Sequence, residues 1–551
     1  MIKNNTIFFV FLLTFLVLCK SILPSERKIV LQPFSYHIER KESSIAKQIS
    51  QSSWWEGAIF YQIFPRSFQD TNGDGNGDFR GITSRLDYLS RLGITAIWLT
   101  PMFEAPSYHG YDYQDFYTIE SDYGTMQDFE NFLSEAKKHN IKVILDLVLN
   151  HISIQHEWFQ KSCASENGDS DPSNDNEYKD YFIWKKEIPQ GTWGKPWASP
   201  DHPDWGYNQP KTVWIWNNTR QAYYYAAFSK TQPDLNLLHS SVVTELKKMA
   251  KFWLDKGIHG FRFDAIRYLI EEGPYPLQSD TDSSVAFLCD FKKYIKTISP
   301  EALLIGEAWS DRKTIAKYKD TMDLCFDFPF GDTIVKTLKS SEIKALLPAF
   351  IKSEKEKILQ DAPKNFYAPF LRNHDQNRVG WELESDLNKM KLAALLLLTA
   401  EGVPYLYYGE EIGMTQKEKG DDIFKRAPMQ WDTTEYAGFT SGKSVWVEEA
   451  AWFPWRKNHQ PWWKKFWDAQ NKKSSSVEGQ WEEEKSLLNF YKNLIALRKK
   501  HPEFHCFANA SIEFFETGNE NILAFRRVSE KDETIFFLNC SPDTQEITNV
   551  F

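Results

Sequence analysis

Cysteine is scarce, with six in 551 residues. The six are widely spaced and form no CxxC pair or metal-ligand pattern, so no disulfide framework is implied and no thiolate metal centre is encoded. Positive charge is not in excess either. Lysine and arginine number 65 against 75 acidic residues, a net charge of −10, and no basic patch is concentrated enough to hold a polyphosphate, which sets nucleic acid aside as a partner. Long hydrophobic runs are absent beyond one near the N-terminus, and a mean hydropathy of −0.51 excludes a polytopic membrane protein. Conversely, 42% hydrophobic residues are too many for a disordered or fibrous chain. The length fits one large domain with additions, or two to four domains.

Aromatic residues are abundant, 15% of the chain with 21 tryptophans. Many lie in polar, loop-like stretches, where flat rings act as stacking platforms of the kind sugars use. The N-terminus carries Lys3 and then an apolar run from Ile7 to Leu18 relieved only by Thr14. That run is too short to span a bilayer comfortably but fits a secretory signal, so residues 1–20 read as an export signal. Leu16-Val17-Leu18-Cys19 resembles a relaxed bacterial lipobox, which leaves two outcomes open: a secreted or periplasmic protein, or one lipid-anchored at Cys19. Residues 21–51 are polar without a clear period and read as a linker.

From Ala58 onward, short apolar runs alternate with helical periods, the pattern of a βαβ series. Strands are expected at Ala58–Phe64, Ala96–Thr100, Val143–Leu149, Gly260–Asp264, Leu303–Glu307, Leu324–Phe328, Ala368–Arg372 and Pro404–Tyr408, with helices at Met126–Asn140, Val242–Lys256, Val285–Thr297 and Leu387–Ala400. Eight parallel strands imply an α/β fold, a (β/α)8 TIM barrel whose site lies at the strand C-termini. The stretch after His151 lacks helical periodicity and reads as an inserted subdomain, and period-two segments at Ile522–Arg527 and Thr534–Leu538 suggest a short C-terminal antiparallel β-domain. The resulting organisation is barrel over 52–150, insert over 151–235, barrel again over 236–502, and β-domain over 503–551.

Three of the strands end in carboxylates. Arg262 and Asp264 lie two apart and share a face, so the guanidinium keeps Asp264 ionised, as a nucleophile requires. Glu307 closes an apolar strand, where burial suits a general acid. Arg372-Asn373-His374-Asp375 adds a third carboxylate and an imidazole. The Asp264 and Glu307 strands are consecutive, and parallel neighbours lie about 4.8 Å apart, near the carboxyl separation of retaining glycosidases. A second site is written in Asp70-x-Asn72-x-Asp74-x-Asn76-x-Asp78, where oxygen ligands alternate with Gly73, Gly75 and Gly77. It copies the first nine positions of an EF-hand loop but carries Gly81 at the twelfth, so a structural Ca²⁺ is expected, not a calcium switch.

Asp146-Leu147-Val148-Leu149-Asn150-His151, Gly260 to Asp264, Gly306-Glu307-Ala308-Trp309 and Asn373-His374-Asp375, in that order, resemble the motifs of the α-amylase superfamily, the family-13 glycoside hydrolases, over about residues 54 to 545. The resemblance implies Asp264 as nucleophile, Glu307 as acid/base and Asp375 as transition-state stabiliser. It implies Tyr111, Asp112, His151, Arg262 and His374 in the −1 subsite, with Arg426 paired to Asp112. Gln232-Pro233-Asp234-Leu235-Asn236 is similar to oligo-1,6-glucosidases, whereas Ala265, where α-1,6 enzymes usually carry valine, is more like α-1,4 specificity. Tyr408-Gly409-Glu410-Glu411-Ile412-Gly413-Met414 is similar to secreted bacterial α-amylases of intermediate type. The expectation is a retaining, α-1,4-acting hydrolase of starch or maltooligosaccharides, working as a monomer. Oligo-1,6-glucosidase, α-glucosidase and transglycosylase are the alternatives, and a non-catalytic sugar-binding or transporter-associated homologue is the remote one.

Overall fold

A computed structural model describes residues 28–32, 36–41, 53–164, 176–340, 346–359, 362–447, 475–501, 504, 511–528, 533–539, 541 and 543–548. The export signal and Cys19 lie outside the described residues. So do Cys506, Cys540 and the start of the C-terminal β-domain. Eight strands form the central sheet: β1 (Phe60–Ile63), β2 (Ala96–Leu99), β3 (Lys142–Leu147), β4 (Gly260–Phe263), β5 (Leu303–Gly306), β6 (Leu324–Asp327), β7 (Tyr367–Pro369) and β8 (Tyr405–Tyr407). Their order is β7-β6-β5-β4-β3-β2-β1-β8. A parallel bridge from Phe370 to Tyr405 joins the two ends, giving a nearly closed (β/α)8 barrel. All eight expected strands are present, each within a few residues of its expected bounds.

The strands read as apolar runs because they are buried on both faces, the side chains that fill a barrel being apolar. Gly260 opens β4 at φ 147, and a Cβ there would stand 2.1 Å from the carbonyl oxygen of Leu303. Only glycine lets β4 and β5 approach at that point.

Contacts divide the chain into two compact units, residues 1–97, 139–141 and 327–551, and residues 98–138 and 142–326. In the second, the helices Met126–Lys138, Ser240–Asp255 and Asp282–Ile298 bury one apolar face each, among them Phe129, Phe132, Leu246, Trp253, Leu288 and Phe291. The insert is not purely irregular. It contains the helix Glu157–Ala164 and a three-stranded sheet of Trp184–Lys185, Ala222–Tyr225 and Trp214–Asn217, around a small core of Trp193, Val213, Trp214 and Tyr225. The helix is two turns long, too short to register as a period amid the surrounding polar residues.

In the first unit the helix Leu387–Thr399 is buried almost all round. A four-stranded antiparallel sheet follows the barrel, and its edge strand is Tyr36–Lys41, paired with Glu533–Asn539 in the register Ile38↔Phe536. Lys28–Leu31 pairs in turn with Gln545–Thr548. Residues 28–31 and 36–41 are thus strands and not a linker. Leu31 is buried with Ile522, Ile535, Phe537 and Ile547, a burial contributing about 1.5–3 kcal/mol. The sequence concealed this because each segment is only four to six residues long and its partner is some 500 residues away.

Candidate active site

Strand register brings the first group together. Asp146 on β3 pairs with Arg262 on β4, and Arg262 with Ile305 on β5, so three adjacent strands end at the same level. Arg262 Nη1 donates to Asp146 Oδ1 at 2.8 Å and to Asp264 Oδ1 at 2.6 Å, and its Nη2 is ion-paired to Glu307 Oε2 at 3.0 Å. One guanidinium therefore serves three carboxylates. The Arg262 and Asp146 side chains are wholly buried, whereas those of Asp264 and Glu307 are 11% exposed. Only the latter two can meet a substrate.

Burial pushes the Asp146 carboxyl up to about 6, with Arg262 pulling the other way, while the surrounding carboxylates hold the guanidinium well above its ordinary value against the cost of its burial. Trp98 Nε1 and the Tyr111 hydroxyl both donate to Asp146 Oδ2, at 3.2 and 3.1 Å.

Glu307 corrects one expectation. Its surroundings are ionic, not purely apolar, because Arg262 is its partner and the Ala265 amide donates to Oε2 at 3.1 Å. Ala265 adopts the left-handed conformation, φ 51 and ψ 35. That turn aims its N–H at the carboxylate, and a β-branched residue would adopt it only with strain.

His151 is fully buried beside the ring of Phe228. Burial brings its imidazole down to about 3, so it is neutral. Its Nε2 lies 3.0 Å from the Tyr111 carbonyl oxygen and its Nδ1 3.3 Å from the Asn150 amide; the ring donates to the first and accepts from the second. The Gln232 amide lies 3.1 Å from the same Nε2. Asp112 is buried too, its carboxyl raised by desolvation while Ser107 Oγ donates to it.

A second group follows β7. Asp375, 28% exposed at the side chain, is ion-paired through Oδ1 to Arg426 Nη2 at 2.9 Å, and its Oδ2 lies 3.2 Å from His374 Nε2. His374 Nδ1 meets the Gln62 amide at 2.6 Å. Arg426 also donates to the His374 carbonyl oxygen and reaches Asp422 at 3.3 Å. Asp375 and Asp422 are thus two carboxylates that hold Arg426. Being 3% exposed, Arg426 acts on Asp375 as Arg262 does on Asp264, a buried cation beside a reachable carboxylate.

The Asp70 loop is tied mainly by its own amides. Asp70 accepts from the N–H groups of Asn72, Gly73 and Gly75 and from Thr440 Oγ1. Asp74 accepts from Asn76 N–H, and Asp78 caps the following helix through Gly81 N–H while holding Thr71. Gly75 turns at φ 96, where the EF-hand pattern requires its glycine. The oxygen-only donor set and that turn fit a hard cation. Among the described residues, however, no three His, Cys, Asp or Glu side chains are gathered as a metal site.

Asp146 and Trp98 were not singled out from sequence as site residues. Asp146 was detectable as the lone acid inside the apolar run Val143 to Leu147. Trp98 carried no signal separating it from an ordinary core ring, and Gln232 was read only as part of a linkage motif.

The family model "Alpha amylase, catalytic domain" matches residues 62–506. The chain is 34% identical over 498 residues to "Alpha-amylase 3" of Dictyoglomus thermophilum, covering 90% of this chain and 87% of that one. It is 31% identical over 550 residues to the oligo-1,6-glucosidase of Bacillus cereus, covering 89% and 91%. Among solved structures it is similar to the α-amylase from H. orenii, with TM-score 0.69 and 29% identity over 89% of this chain and 98% of that one.

Proposed function

Since the chain belongs to the α-amylase family of glycoside hydrolases, we propose that it cleaves α-1,4-glucosidic bonds of starch and maltooligosaccharides with retention of configuration. The observation that carries the chemistry is the sharing of Arg262 between Asp264 and Glu307 on neighbouring strands. Two reachable carboxylates beside one fixed cation suit a double displacement.

Asp264 attacks the anomeric carbon as the glycosidic oxygen leaves with the proton of Glu307. Glu307 then takes a proton from water, which attacks the glycosyl ester and releases Asp264. Arg262 keeps Asp264 anionic, and Asp146 is the buried counter-charge that holds the guanidinium in place. Asp375, held by Arg426, grips sugar hydroxyls and stabilises the positive charge of the transition state. The family resemblance implies sugar-binding roles for Tyr111, Asp112, His151 and His374. A buried, neutral His151 contributes there by shape and hydrogen bonding.

Linkage rests on less. Ala265 favours α-1,4 action, and the resemblance to "Alpha-amylase 3" accords with it; Gln232 and the likeness to oligo-1,6-glucosidases favour the alternative. Products from soluble starch, maltotriose and isomaltose, with the released anomer followed by NMR, decide the question. Mixed α-maltooligosaccharides from starch are expected. Glucose from isomaltose with little from starch would make the protein an oligo-1,6-glucosidase, and longer products at high substrate a transglycosylase. A calcium ion held by Asp70, Asn72, Asp74, Asn76 and Asp78 is part of the same reading; it would tie the loop and take no step in the reaction.

A further inference from the structure

Immediately beyond Asp264 and Ala265, the turn Ile266–Tyr268 carries Arg267, a cation with no place in the chemistry above. Its Nε lies 3.0 and 3.2 Å from the two Asp280 oxygens and its Nη2 2.6 Å from Oδ2. Asp280 returns the contact, its amide donating to the Arg267 carbonyl oxygen at 2.7 Å. The Tyr318 hydroxyl steadies the carboxylate at 2.8 Å. Asp280 sits at φ 55, in the left-handed region, which a non-glycine residue adopts only when its surroundings over-determine it. The two side chains are 16% and 11% exposed, so the pair is sheltered, and a forked guanidinium on a carboxylate has little freedom to swing.

The remaining nitrogen, Nη1, donates to the carbonyl oxygen of Trp309 at 2.7 Å. Trp309 is two residues past Glu307. The same stretch is already tied to the Asp264 segment by two backbone bonds, Glu307 N–H to the Phe263 carbonyl oxygen at 2.9 Å and Ile266 N–H to the Glu307 carbonyl oxygen at 3.3 Å, and at the Glu307 carboxylate by the Ala265 amide and Arg262. Arg267 adds a side-chain tie beyond Glu307, at Trp309. A segment tied at both ends of Glu307 cannot rock toward or away from Asp264.

We propose that Arg267 is a positioning residue: anchored on Asp280, it holds the Trp309 carbonyl and so sets the distance and aim of Glu307 relative to Asp264. The proposal rests on the roles given above to these two carboxylates. Its chemical consequence is specific, because outcome and rate in a two-carboxylate hydrolase depend on carboxyl separation, and a displacement of about 1 Å can cost 10²-fold in rate.

The test is steady-state kinetics of Arg267→Lys and Arg267→Gln, with Glu307→Gln and the double variant Arg267→Gln/Glu307→Gln alongside. Substrates are maltotriose (isomaltose if that is the sugar turned over) and 4-nitrophenyl α-maltoside, whose leaving group needs no proton. Arg267→Gln is expected to lower kcat on the natural sugar about 10- to 100-fold with KM within twofold. The loss on the nitrophenyl substrate should be smaller, and the double variant should be no slower than Glu307→Gln alone. Arg267→Lys, which cannot hold Asp280 and the carbonyl together, should behave like Gln.

A rise in KM at constant kcat would mean that Arg267 contacts sugar. Equal loss on both substrates with a lowered Tm would mean a general fold effect, and additive losses in the double variant would mean independence from Glu307; each overturns the proposal alone. Should Glu307→Gln itself lose equally on both substrates, the acid/base assignment falls and the positioning role with it.

Discussion

Asp264 and Asp146 are both carboxylates bound to Arg262, yet only Asp264 is reachable, and that difference assigns the work. Asp264→Asn is expected to lower turnover at least about a thousandfold, in line with the loss of other covalent nucleophiles, with an unchanged circular dichroism spectrum. Turnover near the starting level would move the nucleophile elsewhere. A different residue contributes to the pH dependence of stability. Glu410 and Glu411 sit side by side after β8, both buried; Tyr491 donates to Glu410, while Tyr61 and Tyr88 donate to Glu411. Arg378 is the cation nearby, and burial lifts the Glu410 carboxyl to about 8, with Glu411 adding to the rise and Tyr491 and Arg378 opposing it. Its folded value exceeds the unfolded one, so the stabilisation is complete below about 4.5 and is lost as pH rises towards 8. Across that window the Tm of the unaltered protein should fall relative to that of Glu410→Gln; parallel curves for the two proteins would show that Glu410 does not contribute.

At the scale of elements, strand ends do most of the positioning. β3, β4 and β5 end level, which delivers Asp146, Arg262, Asp264 and Glu307 to one place, and the Ala265 turn then points an amide back at Glu307. The Asp70 loop is an element of another kind, organised by its own N–H groups and fitted to a hard cation. Adding CaCl2 to chelator-treated protein is expected to raise Tm, because an ion that binds only the folded chain stabilises it by about 2.7 kcal/mol at a hundredfold excess over Kd. Identical melting with calcium and with EDTA would leave the loop as a self-bonded turn.

For the whole molecule, a neutral polymer is a fitting substrate for a chain of net charge −10, and an export signal would bring the enzyme to it. Expression of the complete sequence in a bacterial host should place activity outside the cytoplasm, and deletion of residues 1–20 should leave it inside. Activity confined to the cytoplasm in both cases would refute export, and Cys19→Ser would release a membrane-held pool only if that cysteine is lipidated.

Barrel, catalytic motifs and family were legible in the sequence because they are local. An apolar run, a helical period and a charge at a strand end each depend on residues within a few positions. What the sequence left undetermined depends on partners far along the chain. Strands 28–31 and 36–41 pair with residues near the C-terminus, Arg426 finds Asp375 and Asp422, Glu307 acquires a guanidinium from the neighbouring strand, and Arg267 reaches Trp309. The sequence by itself determined which strands form and which carry the acids; only the tertiary structure decided which cation stands beside each acid, since such a pairing is chosen by register and burial between segments that no local pattern connects.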